Sequence, residues 1–424
     1  MQREQILPGV YLTSLPADKF KRSRISINFI MPGKRSTATS YALLPMVMER
    51  GYEACPDMTQ LSIKLAQLYG ASLGVDSGMQ GPNRVLNFSM VGIKDDFAFG
   101  GEALSKEYAD ILFGVAFHPD VKNGAFDSEA IEIEKDKLRE VLESEINEKR
   151  IYCVRQARRK FFGDDESGIE RYGYLDDIDP ITPQQLYQAY LNMVQTAAVE
   201  VLVMGADAQS VKTLLVQQLQ KIDRCLLQPA QPHAMPVTAP QSCVEPLPTE
   251  QGKVCMLFTT AEILKNEDLS KMRMAIGVLG GTPTSRLFTN VREKQSLCYY
   301  CASSYSHING MLSIDSGVEH KNAEKLQQAV LAELDKLKTE EITQKEIEDV
   351  KRTLYNSLDA VEDNLPSIEN WYMGEIMRGS FKTPQQVKQE IAMVSEGDIR
   401  AMLDKFTLQV TYTLTNTKGG AAHA

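Results

Sequence analysis

Residues 280–304 read GGTPTSRLFTNVREKQSLCYYCASS. Two glycines close one helix-like run. Thr282 and Pro283 then suit an N-cap and a first helical turn, where proline forfeits only an amide that has no partner anyway. Residues 285–294 read as a helix, and the aromatic-rich LCYYCASSY that follows reads as a strand. Arg292 and Tyr299 therefore stand seven residues apart, on either side of a helix-to-strand passage. The glycine pair is no phosphate loop, because it lacks the spacing and the lysine of one.

Working outward, the second half continues in the same mixed style. KVCMLFT (253–259) and GMLSIDSGV (310–318) read as strands, with helices over 269–279 and 322–337 and another from Ile342. Thr343 and Glu346 have the spacing of a capping box, in which a hydroxyl and a carboxylate satisfy two orphan amides. The first half reads alike. Ile25, Ile27, Phe29 and Met31 alternate along a half-buried strand. Helices over 41–50 and 58–69, strands ASLGV and RVLNFSMVGI, and helices over 101–116 and 128–162 come next. Each half ends in a helix running into a strand: PQQLYQAYLNMV then AAVEVLVMG, and EGDIRAMLDKF then LQVTYTL.

Between the halves, prolines at 229, 232, 236, 240, 246 and 248 remove amide donors and fix φ, so neither a helix nor a central strand persists there. The pattern predicts an α+β protein made by internal duplication. Its lobes are 1–228 and 250–424, each a mainly antiparallel sheet covered by helices, joined by a Pro-rich linker over 229–249 in a clamshell.

A chain of 424 residues suits two domains. Its net charge of −10 argues against nucleic acid and anionic lipid as partners. No apolar run of about 18 residues is present to span a membrane, and the N-terminal residues do not read as a secretory signal. Seven scattered cysteines read as reduced thiols of a cytoplasmic protein. Cys298 and Cys301 form a C-x-x-C, but positions three apart on a strand point to opposite faces. They read as two half-buried strand cysteines rather than a redox or zinc site.

The string SRLFTNVREKQSLCYY resembles the C-terminal half of the insulinase, pitrilysin and mitochondrial processing peptidase family of zinc proteases. The resemblance implies that Arg292 and Tyr299 reach into the cleft between the halves and hold a peptide at the scissile bond. The residue types suit that role. A guanidinium is always charged and offers a rigid fork of donors to carbonyls, and a phenol can donate to the oxyanion formed when hydroxide attacks an amide. The adjoining strand could also bind an extended peptide along its edge.

The family's zinc motif, H-x-x-E-H, aligns by the glycine at Gly51 with Ala42, Leu43, Leu44, Pro45 and Met46. Neither ligand nor general base survives, and Pro45 should disturb the helix. Glu140, Glu143 or Glu145 could stand where the family keeps its third ligand, but one carboxylate does not hold a catalytic zinc. The histidines, at 118, 233, 307, 320 and 423, never fall within one helical turn of each other, and His118 reads as helix-terminal.

The resemblance thus implies a chain that binds no metal or cofactor and acts as the non-catalytic subunit of a heterodimeric zinc peptidase. Its catalytic contribution is Arg292 and Tyr299, supplied in trans to a homologous zinc-bearing partner that acts on peptides or unfolded polypeptides. The alternative is a structural or peptide-binding member with no peptidase role.

Overall fold

The computed structural model describes residues 1–416, so His423 lies outside the described residues. The chain divides into two compact units. One comprises Met1–Glu143 and Asp165–Gln231; the other comprises Ser144–Asp164 and the chain from Pro232 onward.

The first unit's sheet contains β1 (Gln2–Leu7), β2 (Val10–Leu15), β3 (Arg22–Pro32), β4 (Ser72–Gln80), β5 (Asn83–Ile93) and β6 (Ala198–Met204). Their spatial order is β1-β2-β6-β3-β5-β4. The second unit's sheet contains β7 (Gln241–Pro246), β8 (Gly252–Thr259), β9 (Cys298–Ser306), β10 (Met311–Val318) and β11 (Thr407–Thr415), in the order β7-β11-β8-β10-β9. Matching β2 through β6 against β7 through β11 in chain order reproduces both the spatial order and the strand senses. The β2–β6 and β7–β11 pairs are parallel, and the remaining matched pairs are antiparallel. The duplication legible in the sequence is therefore a duplication of topology, with β1 added to the first copy.

Alternation decides which face of each sheet meets its core. Ile25, Ile27, Phe29 and Met31 of β3 join Leu86, Phe88 and Met90 of β5 and Val199, Val201 and Val203 of β6 beneath the first unit's helices. Each such side chain contributes about 1.5–3 kcal/mol by leaving water. In the second unit, Val254, Met256 and Phe258 of β8 pack with Leu312 and Ile314 of β10 under the helices Leu269–Ile276 and Ala323–Thr339.

The opposite face of the second sheet carries Cys255, Leu257, Val410 and Tyr412. It is covered by Cys153, Ala157, Phe161 and Phe162 of the helix Lys149–Phe162. That helix was expected as the tail of one long helix over 128–162. Instead a 3₁₀ turn, Glu145–Asn147, separates it from the helix Ser128–Ser144. The two parts serve different cores: Ile131 and Leu138 face the first, and Cys153 and Ala157 the second. Where the sequence draws one boundary in the linker, the contacts draw further ones at 143/144 and 164/165.

The proline-rich segment is not wholly irregular. Gln241–Pro246 forms β7, which lies at the edge of its sheet, where a strand ending in proline is tolerated. The helix Ala38–Met48 runs through Pro45 without ending, contrary to the expected disturbance. The missing amide costs one internal bond, and the burial of Tyr41, Leu43, Leu44, Val47 and Met48 around it offsets the loss.

Just beyond that helix, Gly51 packs where a Cβ would come within 2.5 Å of the Cys55 carbonyl oxygen and 2.8 Å of the Pro56 carbonyl carbon. Both obstacles are backbone, held by the reciprocal Tyr52–Cys55 amide bonds. Gly51→Ala is therefore expected to destabilise the first unit by about 1–3 kcal/mol. Scanning calorimetry that found its melting temperature unchanged would contradict this.

Candidate functional site

Two wide, π-helical stretches, Gly277–Gly281 and Leu287–Lys294, frame the passage that carries Arg292. Such widened turns recur at functional sites because they re-aim the side chains that follow. Thr282 and Pro283 were expected to start the second helix, but they lie in the turn between the two. The Thr282 hydroxyl instead donates to the Gly277 carbonyl at 3.0 Å, satisfying an orphan acceptor at the end of the preceding helix.

The segment is pinned from one side. Arg286, 8 % exposed, donates from Nε to Glu346 Oε1 at 2.7 Å and from one terminal nitrogen to the Glu341 carbonyl at 2.7 Å. Asn290 donates to the buried Glu333 at 2.7 Å. The capping box expected at Thr343 and Glu346 is present, so Glu346 serves both its own helix and Arg286.

Arg292 occupies the free side. Its Nε donates to the Tyr299 carbonyl at 2.9 Å, and its guanidinium lies 4.5 Å from the Phe288 ring centroid. Among the described residues it forms no ion pair, so most of its donor fork stays uncommitted. The Tyr299 side chain is 51 % exposed, on a strand that forms the edge of its sheet. The fold thus brings the Arg292 side chain onto the Tyr299 backbone carbonyl and leaves the Tyr299 phenol exposed.

The pairing of β9 with β10 slips here. Val318 opposes Cys298 and Gly317 opposes Tyr300, so Tyr299 is an extra, bulged residue. The bulge overturns the expectation that Cys298 and Cys301 face opposite ways. Both side chains pack on the same core cluster. Tyr300 takes the other face, under the Arg150 guanidinium at 4.4 Å, and Arg150 in turn donates to Asp315 at 2.6 Å.

The positions aligned with the zinc motif present no metal donor set. Ala42, Leu43, Leu44 and Pro45 are buried and apolar, and Met46 packs against the same core. Of the acidic residues considered for a third ligand, Glu140 and Glu143 point to solvent and Glu145 pairs with Arg155. The carboxylate that turns inward from that helix is Glu134, 3 % exposed, and Arg50 holds it at 2.7 Å. Sequence reasoning missed this pair; the signal was an acid placed three residues after Ile131 and four before Leu138, on the apolar stripe.

His118 caps the helix Leu104–Phe117, as expected. His307 accepts from Arg378 at 2.7 Å. Burial and the nearby Arg378 and Arg273 cations hold its pKa down to about 3. Among the described residues, no group of three or more His, Cys, Asp or Glu is arranged to hold a metal ion. These residues do not fit a catalytic zinc, which needs three ligands and an open position. No helix among them is long and apolar enough to cross a membrane.

Comparison with known proteins points the same way. A model of the peptidase M16 inactive domain matches residues 180–354. The chain is similar to a probable inactive metalloprotease of Bacillus subtilis (strain 168), YmfF, with 25 % identity over 97 % of both chains. It is 31 % identical over 150 residues to the uncharacterized zinc protease YmxG of the same organism, covering 35 % of this chain and 36 % of that one. Among solved structures, a conserved protein from Enterococcus faecalis V583 is similar over 99 % of both chains, at 25 % identity and a TM-score of 0.91. The positions aligned with the zinc motif are thus filled by apolar side chains, in a chain similar to the peptidase M16 inactive domain over residues 180–354 and to a probable inactive metalloprotease over nearly its whole length.

Proposed function

We propose that this chain is the non-catalytic subunit of a heterodimeric zinc-dependent peptidase. It supplies Arg292 and Tyr299 in trans to the zinc site of a homologous partner. The observation that carries the reading is a half-buried guanidinium and an exposed phenol, joined through the Tyr299 carbonyl, in a chain whose own zinc-aligned positions are apolar. Arg292 would hold a carbonyl of the bound peptide, and Tyr299 would donate to the oxyanion that forms when the partner's hydroxide attacks. The exposed edge of β9 supports an extended peptide or unfolded polypeptide as substrate, since main-chain bonds to an edge strand are independent of sequence.

The relatives make such a pairing plausible on family grounds. One bacterium holds both a probable inactive metalloprotease and a zinc protease similar to this chain. All seven cysteines are free thiols, which supports a reducing, cytoplasmic setting.

The test is to purify the chain alone and together with a zinc-bearing homologue from the same cell, then assay metal content and hydrolysis of an unstructured peptide. The expected result is neither zinc nor hydrolysis in the isolated chain, and both in the complex. Stoichiometric zinc and turnover in the isolated chain would refute the proposal.

A further inference from the structure

The bulge at Tyr299 has a chemical consequence. An extra residue between Cys298 and Tyr300 turns Cys298 onto the face already occupied by Cys301. Both then contact one core cluster from ladder positions two apart, Cys298 opposite Val318 and Cys301 opposite Ser316. Cys298 is half-buried and Cys301 buried, so the pair has one sulfur within reach of solvent and one behind it.

We infer that Cys298 and Cys301 form a thiol–disulfide exchange site, with Cys298 as the attacking sulfur, Cys301 as the resolving one, and a small-molecule disulfide as substrate.

The reaction balances without any further reagent. The Cys298 thiolate attacks one sulfur of the small disulfide; that S–S bond breaks, and the first small thiolate leaves with the electron pair and picks up a proton. The Cys301 thiol then gives up its proton and attacks Cys298 Sγ, expelling the second small thiolate, which is protonated in turn. The chain's two thiols are oxidised to one disulfide, and the small disulfide is reduced to two thiols.

The surroundings favour this order of attack. The neighbouring Cys301 thiol, with Ser316 and the charge of Arg292 adding to the effect, holds the Cys298 pKa down to about 7. Thiolate is the reactive form. The neighbouring Cys298 and burial raise Cys301, so it waits for the mixed disulfide. The buried Cys255, pushed up to about 12 by desolvation, does not compete.

Closing an S–S bond requires the two Cα atoms to come within about 7 Å. The movement falls on Cys298, which opens the strand and follows an exposed turn where Ser296 holds φ at 52°. Tyr299 lies inside the ring so formed, and its carbonyl is the acceptor for Arg292. The exchange chemistry itself stands apart from the peptidase reading; only an effect of the disulfide on peptide turnover would rest on it.

The test uses the full chain with Cys225, the exposed thiol, replaced by serine. It is incubated at pH 7 with excess oxidised glutathione, and the products are mapped by peptide mass spectrometry. The expected product is a 298–301 disulfide, reversed by dithiothreitol. Cys298 should react about threefold faster than an unperturbed thiol, since its larger thiolate fraction outweighs its lower intrinsic nucleophilicity.

In Cys301→Ser the reaction should stop at glutathione on Cys298. In Cys298→Ser, a milder change at a half-exposed position, Cys301 should stay unmodified. Two outcomes would overturn the inference: Cys298 remaining reduced in the folded wild type, or glutathione persisting on Cys298 with Cys301 present.

Discussion

Arg292→Ala and Tyr299→Phe, introduced singly into the complex with a zinc-bearing partner, are each expected to lower peptide turnover by about 10²–10³-fold. That is the usual consequence of removing one donor from a preorganised oxyanion site. The two should differ in how the loss divides. The phenol is asked to act on charge that exists only in the transition state, so Tyr299→Phe should fall mainly on kcat. The guanidinium is asked to hold a carbonyl present in substrate and transition state alike, so Arg292→Ala should also raise KM. The double variant should lose less than the product of the single losses, because the two groups share one site through the Tyr299 carbonyl. Folding should barely change, since Tyr299 is exposed and Arg292 is free of ion pairs among the described residues. Turnover unchanged in both variants, with the complex intact, would leave the chain a peptide-binding or structural role only.

The sequence makes legible whatever depends on local pattern, and hides what depends on register or on partners distant along the chain. Alternation at Ile25, Ile27, Phe29 and Met31 places a strand on its core because a sheet face has only two options. Thr343 and Glu346 announce a helix start because every atom of the cap lies within four residues. The facing of Cys298 was beyond such reasoning. It turns on one unpaired residue in the β9–β10 ladder, which no propensity of LCYYCASSY foretells. The helix Lys149–Phe162 belongs to the second sheet because its apolar face, Cys153 and Ala157, finds Cys255 and Tyr412 about a hundred residues or more further on. Pro45 misled for a different reason. A helix-breaking propensity of about 3 kcal/mol is outweighed when tightly packed side chains surround it. The candidate pair Arg292 and Tyr299 was legible by resemblance, whereas the brace that holds it, Arg286 to Glu346, joins residues that no spacing rule connects.

That brace carries the other large expected effect. Arg286→Met should destabilise the second unit by about 2 kcal/mol, because it leaves the part-buried Glu346 carboxylate without its cation while preserving most of the side-chain volume. Removing both charges in Arg286→Met/Glu346→Gln should recover part of the loss, a coupling that a double-mutant cycle reads directly. The chain's single tryptophan, Trp371, lies in the second unit and donates to the Lys382 carbonyl at 2.9 Å, so its fluorescence during urea unfolding reports on this unit.

The pH dependence has a definite sign. Burial raises the pKa of Glu346, but bonds from Arg286 and Thr343 overcome it and hold the carboxyl below its ordinary value. A depressed carboxylate contributes stability that is complete above its unfolded pKa and lost as pH falls through its folded one. The gap between wild type and Arg286→Met should therefore be widest above about pH 4.5 and narrow in more acidic urea titrations. A gap independent of pH would mean that lost packing, not lost charge, is responsible. Arg292→Ala and Arg286→Met then separate two roles for neighbouring arginines: the first should spare the Trp371 transition and reduce turnover, while the second should shift that transition and reduce turnover only as far as the passage loosens.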